Sequence, residues 1–365
     1  MKIWIITPIV AVVFLGTLAM MTLSGWDRPP IDTVQHGYRG TGMELVYNPR
    51  DFAKVAAQNV APPEVYELEP SDSPLAKDIY ENVEVLGDLN EEQFLRLMTA
   101  ITEWVSPEEG CAYCHSDDGF AAENIYTKIV SRRMLQMTQH INGNWQSHVG
   151  QTGVTCYTCH RGQPVPQEIW FTDPGPQQPR GMAGNRAEQN TPAPAVALSS
   201  LPYDPFTPML AGRSEIAVIS NDALPSGNRK SIKQTEWTYG LMMHFSESLG
   251  VNCTYCHNSR SFFAWDQSPP QRTTAWHGIR MVNDLNIDYL EPLGSQYPSF
   301  RLGSLGDAPK TNCKTCHLGV YKPLFGANMV KDYPSLVPTT EPAVTTGETP
   351  VDPEIVGSMV VPSNN

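Results

Sequence analysis

The chain has 365 residues, of which 41% are apolar, so it can bury one or two cores and is not a disordered tail. Its 25 Lys and Arg residues are outnumbered by 38 Asp and Glu residues, which gives a formal net charge of −13. This acidity makes nucleic acid a poor partner and a basic protein a good one.

The first segment, residues 1–25, is predicted to be a membrane anchor. Ile3 to Leu23 is an uncharged run of 21 residues. As a helix it would be about 31 Å long, against about 30 Å for the hydrocarbon core of a bilayer. A removable signal peptide usually has a shorter apolar region, and a lipid-modified cysteine is not available because the first cysteine is Cys111. We therefore expect a retained single-pass helix, with Lys2 in the cytoplasm.

Two helices are predicted after an irregular arm at residues 26–89. Asn90 is expected to cap the first helix, which ends before Pro107. The second helix is expected from about residue 123 to residue 141, with Gly143 as its stop signal. Apolar residues recur along one face of both helices, as in helices that pack on a core.

The rest of the chain is predicted to contain a second pair of helices, at about residues 232–249 and 274–285. Each pair of helices accompanies two cysteine motifs, which indicates an internal duplication with a pseudo-twofold relation. The predicted segments are a first half at residues 90–162, a Pro-rich connector at 163–212, a second half at 213–332 and an extended tail at 333–365.

All eight cysteines fall into four copies of the pattern Cys-x-x-Cys-His. The copies are Cys111, Cys114 and His115; Cys156, Cys159 and His160; Cys253, Cys256 and His257; and Cys313, Cys316 and His317. This pattern attaches c-type haem, because the two thiols reach the vinyl groups and the adjacent His binds the iron. Zinc ribbons, thioredoxin-like pairs and disulfides would all leave the adjacent histidines unexplained. We therefore predict four covalently bound haems on the periplasmic side.

The sixth iron ligand decides what each haem does. A vacant position suggests small-molecule chemistry, whereas a second protein ligand suggests electron transfer. Met98, Met134 and Met242 precede three of the motifs on predicted helices, and this recurrence favours iron ligation over core packing. Met137 and Met243 are the nearest competitors, and helical phase excludes neither of them.

These motifs, the Met-bearing helices and the stretch HGYRGTGM at His36 to Met43 resemble the tetrahaem cytochrome subunit of purple-bacterial photosynthetic reaction centres. The resemblance covers roughly residues 35–331. It implies that Met98, Met134 and Met242 are axial ligands. The best-known members of that family carry a lipid-modified N-terminal cysteine, which is missing here.

For the fourth motif, spacing alone offers Met281 and His277 as distal ligands. In the family, however, this haem has two His ligands, and the distal one lies eight residues before the second motif. That position is His148 here, since 156 minus 148 is 8. The resemblance thus implies that His148 reaches from the first half to the haem bound by His317.

The resemblance also implies a function, the rereduction of the photooxidised bacteriochlorophyll pair through a near-linear row of four haems. The third-motif haem would lie nearest the pair and the first-motif haem farthest from it. A soluble cytochrome c2 or a high-potential iron-sulfur protein would donate electrons there, and acidic residues around the first motif suit a basic donor. The expected partners are the reaction-centre L and M subunits, the photosynthetic inner membrane and the light-harvesting antenna.

Two other functions would also use four haems. A membrane-tethered quinol oxidase module of nitrate or nitrite respiration joins a helix to four haems, but the Met placements fit it badly. A catalytic multihaem enzyme would need a haem with an open distal face, so binding of carbon monoxide would reveal it. We predict an electron carrier and not an enzyme, with a mainly α, loop-rich fold of two dihaem halves and one transmembrane helix.

Overall fold

The computed structural model describes residues 3–23, 32–35, 44–67, 71–174, 193–202, 204–216 and 231–338. The stretch from His36 to Met43, much of the predicted connector and most of the predicted tail lie outside these ranges. The described fold is mainly helical with long loops, as predicted. Its α-helices are α1 (Ile3–Leu23), α2 (Pro49–Gln58), α3 (Ala76–Ile79), α4 (Glu91–Val105), α5 (Tyr126–Asn144), α6 (Gln146–Val149), α7 (Cys156–His160), α8 (Ile232–Leu249), α9 (Gln271–Asp284) and α10 (Cys313–His317).

Shorter elements connect these helices. The strands β1 (Asp32–Gln35) and β2 (Glu44–Tyr47) pair antiparallel, with Asp32 opposite Tyr47. Two π-helical turns cover Thr207–Ala211 and Leu285–Leu290. The 3₁₀ turns are Gly110–Tyr113, Gly150–Thr152, Pro194–Val196, Cys253–Tyr255, Glu291–Ser295, Ser299–Arg301, Pro323–Gly326, Val330–Asp332 and Pro334–Leu336.

The helix α4 begins where local sequence predicted. The Asn90 side chain accepts a hydrogen bond from the Gln93 backbone N–H at 2.9 Å, and the Gln93 side chain accepts one from the Asn90 N–H at 3.3 Å. Ser231 and Gln234 make the same reciprocal cap at the start of α8, whose bounds match the prediction. Such a cap satisfies backbone donors that have no partner inside the helix.

The prediction that Gly143 stops the second helix is wrong, because α5 continues through it to Asn144. A Cβ atom at Gly143 would lie only 2.5 Å from Cγ of Pro338. The glycine is needed for this close approach and does not serve as a stop. The helix α9 begins at Gln271, three residues earlier than predicted.

The predicted irregular arm contains regular structure. Besides the β1–β2 pair it contains α2, which Asn48 caps by accepting a hydrogen bond from the Arg50 N–H at 3.0 Å. At the other end of α2, Asn59 is 2% exposed and donates from Nδ2 to the Leu318 carbonyl at 3.1 Å. The arm therefore packs against the segment that carries the fourth motif.

Two clusters of buried apolar side chains form the core. One joins α5, α8 and α9 through Ile141, Trp170, Phe206, Met209, Leu210, Leu241, Met281, Val282 and Leu285. The other surrounds α4 and consists of Leu86, Leu97, Ala100, Trp104, Leu135, Tyr333 and Leu336. Tyr333 and Leu336 belong to the predicted surface tail, and for these two residues that prediction is wrong. Leu336 is fully buried, and the Tyr333 ring packs on Trp104 with centroids 4.7 Å apart.

The helix α1 has 21 residues, of which none is charged. Its described apolar side chains are largely exposed, for example Met20 at 75% and Leu23 at 83%. Across the described part of the chain, no helix meets the combined length and hydropathy requirement for a membrane span. The transmembrane anchor stays a prediction.

Candidate haem-binding cavity

One cavity of about 4200 Å³ runs through the described part of the chain, and every cysteine and histidine of the four motifs lines it. Pockets for ordinary small ligands measure about 300–1,000 Å³, so this cavity has room for several large cofactors. The sequence-predicted distal ligands also lie in its wall: Met98, Met134, Met242 and His148.

The first and third motifs share one local structure, in which the first cysteine lies in a 3₁₀ turn and the second cysteine directly follows it. His115 directs Nδ1 at the carbonyl oxygen of Phe120, 3.1 Å away, and His257 directs Nδ1 at the carbonyl oxygen of Phe262, 2.8 Å away. In both motifs the Phe ring also lies beside the His ring, with centroids 4.9 and 5.3 Å apart. The same five-residue loop therefore holds both imidazoles.

The second and fourth motifs share a different structure, the short helices α7 and α10. Thr155 and Asn312 begin these helices with reciprocal caps. His160 and His317 each direct Nδ1 at the carbonyl oxygen three residues ahead, 2.9 Å away in both cases. The motifs thus alternate between two forms along the chain.

The four Nδ1 contacts decide which nitrogen is free in each ring. A neutral imidazole that donates Nδ1–H to a carbonyl keeps its lone pair on Nε2. Burial lowers the pKa of all four motif histidines, to about 4 for His317. The rings are therefore neutral near pH 7, as metal ligation requires, and their donor atoms fit the proximal ligands of a haem iron.

The structure brings His148 to the fourth motif. Its ring lies across from the His317 ring at a centroid distance of 6.1 Å and an angle of 65°. Two imidazoles that bind one metal through Nε2, each at about 2.0–2.1 Å, have centroids about 6 Å apart. Nδ1 of His148 lies 2.9 Å from the Thr274 carbonyl oxygen, the same kind of contact that the motif histidines make. His148 and His317 are thus placed to hold one iron between them.

Gly278 on α9 makes the room for the His148 ring. A Cβ atom at this position would lie 2.5 Å from Cε1 and 2.8 Å from Nδ1 of His148. A glycine inside a predicted helix is itself a sequence signal of close packing.

The Met ligands predicted for the other three motifs lie on long helices. Met98 is on α4, Met134 on α5 and Met242 on α8, and all three contribute to the cavity wall. Met137 also lines the cavity, so the structure does not separate it from Met134. Met243 is not among the described residues that line it, which favours its neighbour Met242.

Three other histidines of the described ranges lie outside the motifs. His140 pairs with Asp284 at 2.6 Å, and His244 is buried with its ring 4.6 Å from that of Phe206. His277, an alternative ligand for the fourth site, lines the cavity but packs against its neighbour Trp276. Within the described ranges, His148 is the non-motif histidine whose ring contacts the ring of a motif histidine.

Cys159 and Cys316, the second cysteines of the second and fourth motifs, form a disulfide in this structure, with Cα atoms 4.4 Å apart. This pairing differs from the sequence prediction that both cysteines attach haem. A sulfur in a disulfide cannot also bond to a haem vinyl group, so thioether bonds at these positions require the two thiols in reduced form. The pairing shows that α7 and α10 contact each other.

Four repeated motifs around one cavity, each with a neutral imidazole aligned by its own backbone, define a c-type cytochrome with covalently bound haem. The family model of the photosynthetic reaction centre cytochrome C subunit matches residues 27–337. The chain belongs to this family.

Relatives named photosynthetic reaction center cytochrome c subunit cover most of the chain. The protein from Rubrivivax gelatinosus is 53% identical over 321 residues, which are 88% of this chain and 87% of the relative. The one from Thermochromatium tepidum is 50% identical over 88% of this chain and 79% of its own length. The one from Roseobacter denitrificans is 42% identical over 93% and 94%.

Proposed function

We propose that the chain is the electron-transfer subunit of a photosynthetic reaction centre, which rereduces the photooxidised bacteriochlorophyll pair through four c-type haems. The observation that carries this proposal is the set of four backbone contacts that hold Nδ1 of each motif histidine and leave Nε2 free. Family membership supports the photosynthetic setting. The bound haems supply one-electron iron centres, and the chain supplies their attachment, axial ligands and environment.

All eight cysteines would form thioether bonds, two for each haem. The motif histidines would be the proximal ligands, and Met98, Met134 and Met242 the distal ligands of the first three sites. The fourth site would use His148, on the strength of the 6.1 Å ring distance to His317. Since Met raises and a second His lowers the potential, we expect three higher-potential sites and one lower one.

The two halves of the chain would each carry two haems. Support comes from the alternation of motif structure, since the third motif repeats the first and the fourth repeats the second. A backbone contact repeats as well: the Gly162 N–H donates to the Trp104 carbonyl and the Gly319 N–H donates to the Ser248 carbonyl, both at 2.8 Å. These bonds join α7 to α4 and α10 to α8 in the same manner.

Electrons would enter at the first motif from a soluble periplasmic donor, cytochrome c2 or a high-potential iron-sulfur protein. Cys111 is exposed, so the edge of a cofactor bound there lies near the surface. Exposed carboxylates flank this motif in the sequence: Glu92, Glu103, Glu108, Glu109, Asp117 and Asp118. An acidic rim attracts a basic donor and accelerates docking.

The opposite partner would be the reaction-centre core, its L and M subunits, with the light-harvesting antenna as a further contact. The third motif, whose Cys253 is also exposed, would face the special pair. We place α1 in the membrane as a single-pass anchor, because its side chains are apolar and exposed along most of its length. The bulk of the chain would then lie on the periplasmic side.

A flash experiment on isolated photosynthetic membranes tests the proposal. A flash should oxidise c-type haem within the complex, and pyridine haemochrome analysis with intact mass should give four haems per chain. A response to quinol in the dark, with no flash-induced oxidation, would instead support a respiratory quinol oxidase. Carbon monoxide binding to the reduced protein would indicate an open distal face and hence a catalytic site.

A further inference from the structure

Arg161 directly follows the second motif and ends α7 in the left-handed conformation, with φ at 53°. Leu318 has the same place after the fourth motif and ends α10 with φ at 45°. A glycine with positive φ follows both residues. The two backbones are therefore equivalent, but only the second motif carries a positive charge at this position.

The Arg161 guanidinium is bonded only to neutral acceptors among the described residues. Its contacts are Nε to the Thr158 carbonyl at 3.0 Å, Nη1 to the Gln58 carbonyl at 3.0 Å, Nη2 to Asn59 Oδ1 at 3.3 Å and Nη2 to the Cys316 carbonyl at 3.1 Å. A guanidinium has five N–H donors, so these four contacts occupy most of them. No described carboxylate compensates its charge.

This charge lies between the second and fourth motifs. Arg161 is the neighbour of His160 in sequence, and its Nη2 reaches the carbonyl of the residue before His317. An arginine side chain stays protonated in proteins, so Arg161 is positive near pH 7. A cation that is partly shielded from water acts over a longer distance than an exposed one.

We propose that Arg161 raises the reduction potentials of the sites at the second and fourth motifs. The inference rests on the proposed function, since it requires haem at both motifs. Uptake of an electron lowers the charge at the iron, so an uncompensated positive charge nearby stabilises the reduced form. Leu318 supplies no such charge at the equivalent position.

A redox titration of the complex with Arg161→Gln tests the proposal. The haems at the second and fourth motifs should become easier to oxidise. Each equilibrium constant should change by about tenfold, which lowers the reduction potential by about 59 mV for a one-electron couple. The potentials of the haems at the first and third motifs should not change. Arg161→Lys keeps the charge but not the fork of hydrogen bonds, so its potentials should stay near those of the parent.

Further variants separate the charge from structural effects. Asn59→Asp puts a carboxylate beside Nη2 of Arg161 and should lower the same two potentials. Asn59→Leu loses the same amide bonds to the Val55 and Leu318 carbonyls without adding a charge, so it should leave them near those of the parent. Arg132→Gln removes a cation that already pairs with Glu123 at 2.6 Å, and it should leave them unchanged.

Haem content is measured on every variant. Four haems per chain with no shift in either Arg161→Gln or Asn59→Asp would overturn the role of Arg161. Equal shifts in Arg161→Gln and Arg161→Lys would show that the hydrogen bonds and not the charge matter, and would also overturn it. If the parent chain lacked haem, the proposed function itself would fail.

Discussion

The first and third motifs differ from the second and fourth in how the chain encloses them. In the first and third motifs, the leading cysteines Cys111 and Cys253 are exposed. In the second and fourth motifs, the leading cysteines Cys156 and Cys313 are half-buried, and burial raises the pKa of both thiols to about 12. The first and third motifs, which we call the outer motifs, begin in 3₁₀ turns. The second and fourth motifs, which we call the inner motifs, lie in the capped helices α7 and α10, which contact each other.

Because of this difference, we expect the exposed motifs to exchange electrons with partner proteins and the less exposed motifs to transfer electrons inside the protein. A cofactor near the surface can pass an electron to another protein, whereas a buried one is shielded from solvent. The outer motifs are those that we assign to the donor and to the special pair. The second and fourth motifs would then carry the electron between them, with potentials that we expect to depend on partly buried charges such as Arg161.

The largest effect is expected for His148→Met, which would make the fourth site resemble the other three. The change from His to Met ligation should raise its potential on the order of 100 mV, within the about 0.8 V that axial ligands span. The matched control is His277→Met, at a position that also lines the cavity. A fourth-site potential that moved only in the control would make His277 the ligand.

At the third motif, a change of Met242 to His should lower the potential of that outer site, again on the order of 100 mV. Met243→His is the control, because Met243 is not among the described residues of the cavity wall. Redox titration of the two variants side by side decides between them. A shift in the Met243 variant alone would contradict the proposed ligand.

A smaller effect on an inner site is expected for Gly278→Ala. The new Cβ would lie 2.5 Å from the His148 ring, so part of the population should lose His148 ligation and bind carbon monoxide. In Gly294→Ala the nearest atom to the new Cβ is 4.0 Å away, and this variant should behave like the parent. If neither variant binds carbon monoxide, Gly278 does not position the ligand.

The proposed role of His148 could not be predicted from local sequence signals. Caps at Asn90 and Ser231 are local signals, so both helix starts could be predicted from a few residues. His148 instead lies in the four-residue helix α6, which has no periodicity, and it acts beside Thr274, 126 residues away. Spacing favoured Met281 and His277, and only the family resemblance indicated His148.

The arm and the start of the tail were mispredicted for the same reason. The Gly, Pro and polar residues of the arm predict irregular structure, and the Pro and Thr residues of the tail predict surface chain, yet Asn59 and Leu336 are buried. Each is buried against a distant segment, so its environment depends on tertiary packing and not on its neighbours in sequence. Composition alone does not contain this information.

Charge reversal at Glu108 and Glu109 would test whether the exposed first motif is the entry point. Their replacement by Lys should slow the second-order reduction by a basic soluble donor by about tenfold at low ionic strength. The difference should shrink as salt shortens the screening length to about 10 Å at 0.1 M. Reduction by a small neutral reductant is the control and should be unchanged. Slowing that did not depend on salt would contradict an electrostatic docking surface.

The smallest effect concerns how the outer first motif is held, by polar contacts at the surface. Glu123 accepts hydrogen bonds from Arg132 at 2.6 Å and from Asn82 at 2.5 Å, and Lys128 donates to the Phe120 carbonyl, which also faces His115. The Arg132 hydrogen bond is the largest cause that lowers the pKa of Glu123, to about 2 from its ordinary 4.5.

Because this pKa is lower in the folded chain, the contact stabilises the fold above pH 4.5 and loses its effect as the pH falls towards about 2. Glu123→Gln should therefore lower the free energy of unfolding slightly at pH 7, by about 0–1 kcal/mol, which is typical of an exposed ion pair. The difference from the parent should shrink between pH 4.5 and pH 2. Glu67→Gln, at an exposed carboxylate, is the control in the same melts. A difference that stayed constant down to pH 2 would assign the effect to packing and not to the charge of Glu123.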